Sequence, residues 1–205
     1  MLREAYGRPE TEQLDVVPRR FRTLVDVVAG TAKPNSADVS PVALDRPDEL
    51  VDLPIEALQE ALKGTGRDSR RAGALQGLAG WWPGDEPEEN WCADHQQRRA
   101  ELMAVRGVGH ELVDRILLLV LQISTMPLSR SALRVACRHG WSGLESEYEE
   151  WQHLFRQAAE LADSRLEETD RLIRQVGQAH CRTQPNCEGC PLEALLPEGG
   201  PYEPE

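Results

Sequence analysis

The chain has 205 residues, 40% of them apolar, and a formal net charge of −12. That is enough to bury a core, in one large domain or two small lobes. The composition excludes several classes. The longest apolar stretch, residues 116–121, is too short to span a bilayer, and the first residues carry no apolar leader core. Five cysteines, three of them clustered, do not form a secreted disulfide framework. The reading is a cytoplasmic protein with no membrane partner. The acid excess also works against general affinity for nucleic acid, so any duplex contact has to rest on a local basic surface.

In chain order, residues 1–18 are polar and read as a flexible arm. Phe21, Leu24, Val25 and Val28 recur at i, i+3, i+4, i+7 and predict a helix over 21–29 with one buried face. Pro34, Pro41 and Pro47 break the next stretch into a loop. Two short helices follow, at 48–53 and from Pro54 to Leu62; the second ends at Gly64 and Gly66. Lys63, Arg67, Arg70 and Arg71 then fall within nine residues. Such a run is either a solvated face at the helix ends or a phosphate-contacting patch. A helix over 69–82 has Ala72, Leu75, Leu78, Ala79 and Trp82 on its apolar side. Trp81 and Trp82 read as core rather than as base-stacking platforms. Residues 83–94 are acidic and irregular, and Cys92 within them reads as idle or structural, with a remote metal ligand as the alternative.

The central stretch is Val105-Arg106-Gly107-Val108-Gly109-His110-Glu111. Residues 98–105 have helix composition, and Leu112, Val113, Ile116, Leu117, Leu119 and Val120 recur at helical spacing after the glycines. Two helices joined by a tight Gly-x-Gly turn make a helix-hairpin-helix. Glycine there tolerates positive φ and leaves no side chain between backbone and ligand. The N–H groups opening the second helix can then receive a phosphate oxygen. Beyond a loop at 123–128, Ser129 or Ser131 is placed to cap a helix that ends at Gly140. Arg130, Arg134 and Arg138 form a stripe at i, i+4, i+8 on it, read either as a solvated face or as DNA-facing. Helices over 145–162 and 166–179 carry much of the negative charge. The chain closes on Cys181-x5-Cys187-x2-Cys190, a spacing that lets thiolates share one metal centre.

The hairpin and this cysteine loop together resemble the endonuclease III superfamily, the helix-hairpin-helix DNA glycosylases with a C-terminal iron–sulfur loop. Arg106-Gly107-Val108-Gly109 is similar to the family's Pro-Gly-Val-Gly hairpin, and Arg134-Val135 with Arg138-His139-Gly140 to its following helix. Residues 64–72 are similar to an earlier Gly-rich turn, and residues 172–190 to the approach to the cluster. The resemblance implies an all-α, two-lobed helix-hairpin-helix glycosylase fold with a C-terminal cysteine loop. Its expected divisions are a lobe of 19–47 with 141–180, a hairpin-bearing lobe of 48–140, and a cysteine loop and acidic tail over 181–205. It also implies binding of double-stranded DNA, damaged or abasic, by a monomer, through Arg106, Gly107, Val108, Gly109, Arg70, Arg71 and Arg130.

The departures bear on chemistry. Where bifunctional relatives carry a lysine nucleophile this chain has Glu111, and where the superfamily carries its aspartate it has Ser129. A serine supplies no carboxylate to steady an oxocarbenium-like sugar or to activate water. Asp114 and Glu111 are the substitutes within reach of the hairpin. The base-wedging glutamine of the family maps onto Ala32 or Lys33, and the fourth cluster cysteine onto Leu196. Cys181, Cys187 and Cys190 therefore leave three outcomes open: a [4Fe–4S] cluster with a non-cysteine fourth ligand such as His180, a zinc site, or no metal. Three functions stay open as well: a DNA-binding protein related to base-excision glycosylases with altered or absent catalysis, an active monofunctional glycosylase using a substitute carboxylate, and a scaffold that has left DNA.

Overall fold

The computed structural model describes residues 18–30, 44, 46–63, 68–84, 94–141, 147–161 and 165–202. The expectations for the N-terminal arm, for Ala32 and Lys33, for Arg67 and for Cys92 lie outside them. The described residues are helical, with one isolated bridge between Cys181 and Pro185. None of their helices is long and apolar enough to cross a membrane. They form two compact units, divided between Ser124 and Thr125.

The N-terminal unit is built on α1 (Pro18–Ala29), α2 (Pro47–Asp52), α3 (Ile55–Ala61), α4 (Asp68–Trp81), α5 (His95–Ala104) and α6 (His110–Leu119). Phe21, Leu24, Val25 and Val28 of α1 are buried as their spacing predicts, and Val27 and Ala29 are buried with them. That wider apolar face makes α1 a central helix. It packs on α6 and α4, while α2 and α3 cover another side of α4. The core joins these faces through Leu50, Leu58, Leu75, Leu78, Leu102, Val113, Ile116 and Leu117. Both tryptophans are structural. Trp82 meets Phe21 edge-on at 5.0 Å, and Trp81 Nε1 donates to Glu101 on α5 at 3.2 Å.

The C-terminal unit holds α7 (Arg130–Arg138), α8 (Tyr148–Leu161), α9 (Leu166–Ala179) and a 3-10 turn, Glu193–Leu195. Helix α7 lays Ala132, Val135 and Ala136 against α9, where Ile173 and Val176 meet them; Trp151 and Phe155 of α8 complete the core. This division differs from the expected lobes. Helix α1 belongs with the hairpin helices, and α7 belongs with the C-terminal helices. The physical reason is that each apolar face is matched elsewhere than the resemblance assigned it: α1 by α6 and α4, α7 by α9.

The α7–α9 crossing is close because Gly177 sits at it. A Cβ added to Gly177 would overlap Ser131 Cβ and crowd Ser131 Oγ at 2.8 Å. Gly177→Ala is therefore expected to destabilise the protein by about 1–3 kcal/mol, the usual cost of overpacking. Chemical denaturation followed by circular dichroism would read that loss, and an unchanged midpoint would contradict the crossing.

Candidate nucleic-acid interface and cysteine loop

The hairpin forms as its residues require. Helix α5 opens on Asp94, whose carboxylate accepts the Gln97 N–H at 2.9 Å. It ends at Ala104, and Val108 N–H closes the turn on Val105 O at 3.1 Å. Gly107 sits at φ +90°, a region L side chains rarely adopt, and a Cβ there would lie 3.4 Å from Arg70 O and 3.5 Å from Ala74 Cβ. Val108 is buried and anchors the turn in the core. Gly109 is extended and stands at the N-cap of α6 with no capping side chain. The first N–H groups of α6 thus have no partner within the helix, and its positive dipole end opens at the hairpin.

Around this turn the sequence-predicted residues separate by role. Arg106 is exposed. Arg70 is exposed as well, and its Nε donates to Gly107 O at 3.2 Å, fixing a guanidinium beside the turn. Arg71 turns elsewhere: it is half-buried over Gly30, at the carboxyl end of α1. Arg115 donates there too, to Val27 O at 3.4 Å. Cations suit that negative dipole end, so the expected Arg70–Arg71 patch divides between the hairpin and α1. Arg130, in the other unit, is exposed at the start of α7.

The carboxylate candidates are equally distinct. Asp114 has no exposed surface and pairs with Arg99 of α5, with Arg99 Nη1 on Oδ1 and Nη2 on Oδ2 at 3.4 Å. This pair ties the two hairpin helices together. Glu111, in the first turn of α6, is half-buried. Ser129 is the N-cap of α7: its Oγ accepts the Ala132 N–H at 3.0 Å, and the residue is only 3% exposed. Of the two serines considered, Ser129 is the cap.

The cysteine loop is held by α7. Arg138, 2% exposed, donates from Nη1 to Arg182 O at 2.6 Å and to Cys181 Sγ at 3.4 Å, and from Nη2 to Thr183 O at 2.8 Å. Arg134 Nε reaches Cys181 O at 2.8 Å. The expected arginine stripe is thus one exposed residue, Arg130, followed by two that clasp the loop. The sequence showed no acid in α7 to neutralise them, but their partners are mostly backbone carbonyls, which no residue identity announces. Burial pushes the Cys187 thiol above its usual range, the Cys190 and Cys181 sulfurs push the same way, and Arg138 opposes them. No three His, Cys, Asp or Glu side chains among the described residues stand where they could hold a metal ion, and Leu196 offers only carbon at the fourth position. The loop's cysteines alone are one ligand short of a four-ligand cluster.

A helix-hairpin-helix in a two-unit, all-α chain that closes on a cysteine loop is the fold of the endonuclease III-like DNA glycosylases. Solved structures bear this out. A non-covalent endonuclease III–DNA complex superposes with a TM-score of 0.64 at 20% identity, covering 97% of this chain and 91% of that one. A trapped endonuclease III–DNA covalent intermediate gives 0.64 and 20% over 97% and 92%. A thermostable thymine-DNA glycosylase gives 0.55 and 14% over 91% and 88%. In sequence, the chain is 28% identical over 95 residues to a Methanocaldococcus jannaschii protein named "Putative DNA repair glycosylase MJ1434"; the match takes in 46% of this chain and 43% of that relative. No family model matches.

Two stability losses follow from the geometry. Arg99→Met should cost about 3 kcal/mol, because the buried Asp114 carboxylate loses its cation. Ser129→Ala should cost about 1 kcal/mol by uncapping α7. Urea denaturation of both variants checks the ranking, and an Arg99→Met variant as stable as the parent would remove the structural role given to the pair.

Proposed function

We propose that the protein binds double-stranded DNA, damaged or abasic, through its hairpin, and that it does not hydrolyse the N-glycosidic bond by the superfamily's carboxylate route. The observation that carries this reading is the contrast between an intact hairpin and a missing carboxylate. Gly107 and Gly109 bring the backbone turn to the N-terminus of α6, and Arg70 sets a guanidinium beside it, the chemistry that positions a phosphate. Ser129 is occupied as a helix cap and Asp114 is sealed against Arg99. Two of the solved neighbours are DNA complexes of endonuclease III, which supports the binding half.

Arg106, Gly107, Val108, Gly109 and Arg70 form the proposed phosphate site; Arg71 is given a structural place at α1, and Arg130, in the C-terminal unit, is proposed as a DNA contact by itself. The reading includes a cytoplasmic monomer; the described cysteines 137, 181, 187 and 190 are free thiols, in keeping with a reducing compartment. A second reading has one observation in its favour: the Methanocaldococcus jannaschii relative is named as a DNA repair glycosylase. Under it, Glu111 is the carboxylate left to act, because Asp114 is enclosed.

Fluorescence anisotropy at several stated salt concentrations tests the proposal. Duplex carrying a stable abasic analogue should bind, and Arg70→Gln should weaken binding while lowering the salt slope by about 1. The same duplex affinity and slope in Arg70→Gln and Arg106→Gln would remove the hairpin from the interface. Base release from damaged duplexes in single-turnover incubations, lost in Glu111→Gln, would establish the second reading.

A further inference from the structure

We infer that the cysteine loop folds without a metal centre and that the buried Arg138 guanidinium is the tie that holds it. The loop is one thiol short of a cluster, and no three His, Cys, Asp or Glu side chains among the described residues converge on a metal position. What converges instead is hydrogen bonding from α7. One guanidinium spans both sides of the loop's opening turn, at the Arg182 and Thr183 carbonyls, and also donates to the Cys181 sulfur. Arg134 holds the Cys181 carbonyl from the preceding turn of α7. The His139 ring lies between Val135 O at 2.8 Å and Leu192 O at 3.3 Å, beyond the last cysteine. Tyr202 N–H donates to Arg138 O at 3.0 Å and brings the tail back to the same helix end.

The loop also closes on itself through backbone bonds. Asn186 N–H reaches His180 O and Cys190 N–H reaches Cys187 O, both at 2.9 Å. A metal-stapled loop draws its folding free energy from thiolate ligation, and chelation unfolds it. This loop has its carbonyls satisfied from a helix that is itself packed on α9. A buried cation is costly unless hydrogen-bonded, and here the carbonyls and sulfur around Arg138 take bonds from both its Nη1 and Nη2. Loop and arginine are mutually dependent, and the thiols are not needed as ligands.

The test uses the full chain. Iron, zinc and acid-labile sulfide are measured per chain after expression in iron- and zinc-replete medium. Thermal midpoints are then compared with and without a strong chelator, and after anaerobic incubation with ferrous iron and sulfide. The inference expects substoichiometric metal, no visible charge-transfer absorption and no shift in midpoint under either treatment. It also expects the double variant Cys187→Ser/Cys190→Ser to keep the parent midpoint, and Arg138→Met to lose several degrees or fail to fold. Stoichiometric metal whose removal lowers the midpoint would overturn it, as would collapse of the double cysteine variant. An Arg138→Met variant with the parent's midpoint would overturn the role given to the arginine.

Discussion

The hairpin depends on an ion pair that joins its two helices through a buried carboxylate. Arg99 on α5 and Asp114 on α6 are joined across the two helices, and the carboxylate has no contact with solvent. A pair of this kind adds little net stability against an apolar replacement, but losing one partner strands a buried charge. Its effect is specificity of arrangement: the helices must meet with these two residues opposed. Val108 then drops into the core, Gly107 takes its positive φ against α4, and Arg70 closes over the Gly107 carbonyl. The placement of the α6 N-terminus at the hairpin turn is the outcome of those constraints.

The net charge of −12 is compatible with the proposed DNA contact because screening makes charge local. At physiological salt, exposed charges about 8 Å apart already lose much of their interaction. Many of the acids lie on α8 and α9, in the unit that does not carry the hairpin: Glu149, Glu150, Glu160, Glu167 and Asp170 among them. Others line α2 and α3, including the exposed Asp48, Glu49 and Glu56. At the turn itself stand Arg70 and Arg106. Under the proposed function, the acid excess restrains non-specific affinity and leaves recognition to a small site.

The helices were legible in the sequence because apolar period and cap chemistry are local. The 21–29 stripe, the Gly-x-Gly turn and the Ser129 cap all appear where their residues place them. The hidden features are those decided by partners distant in the chain. Arg134 and Arg138 look like a solvated stripe on a helical wheel, yet their acceptors are carbonyls more than forty residues away. Asp114 reads as a spare carboxylate beside the hairpin until Arg99, fifteen residues earlier, is seen to hold it. The division into units is hidden for a related reason: an apolar face does not record which other face it meets.

The central claim is that the amides at the hairpin meet DNA phosphate, and backbone nuclear magnetic resonance tests it most directly. Duplex carrying an abasic analogue would be titrated into isotope-labelled protein at low salt while the Gly107, Val108, Gly109, His110 and Glu111 amides are followed. Saturable shifts concentrated on those five amides, and reversed by added salt, are the predicted result. Amides that stay in place through the titration, whether or not other parts of the chain respond, would contradict the account.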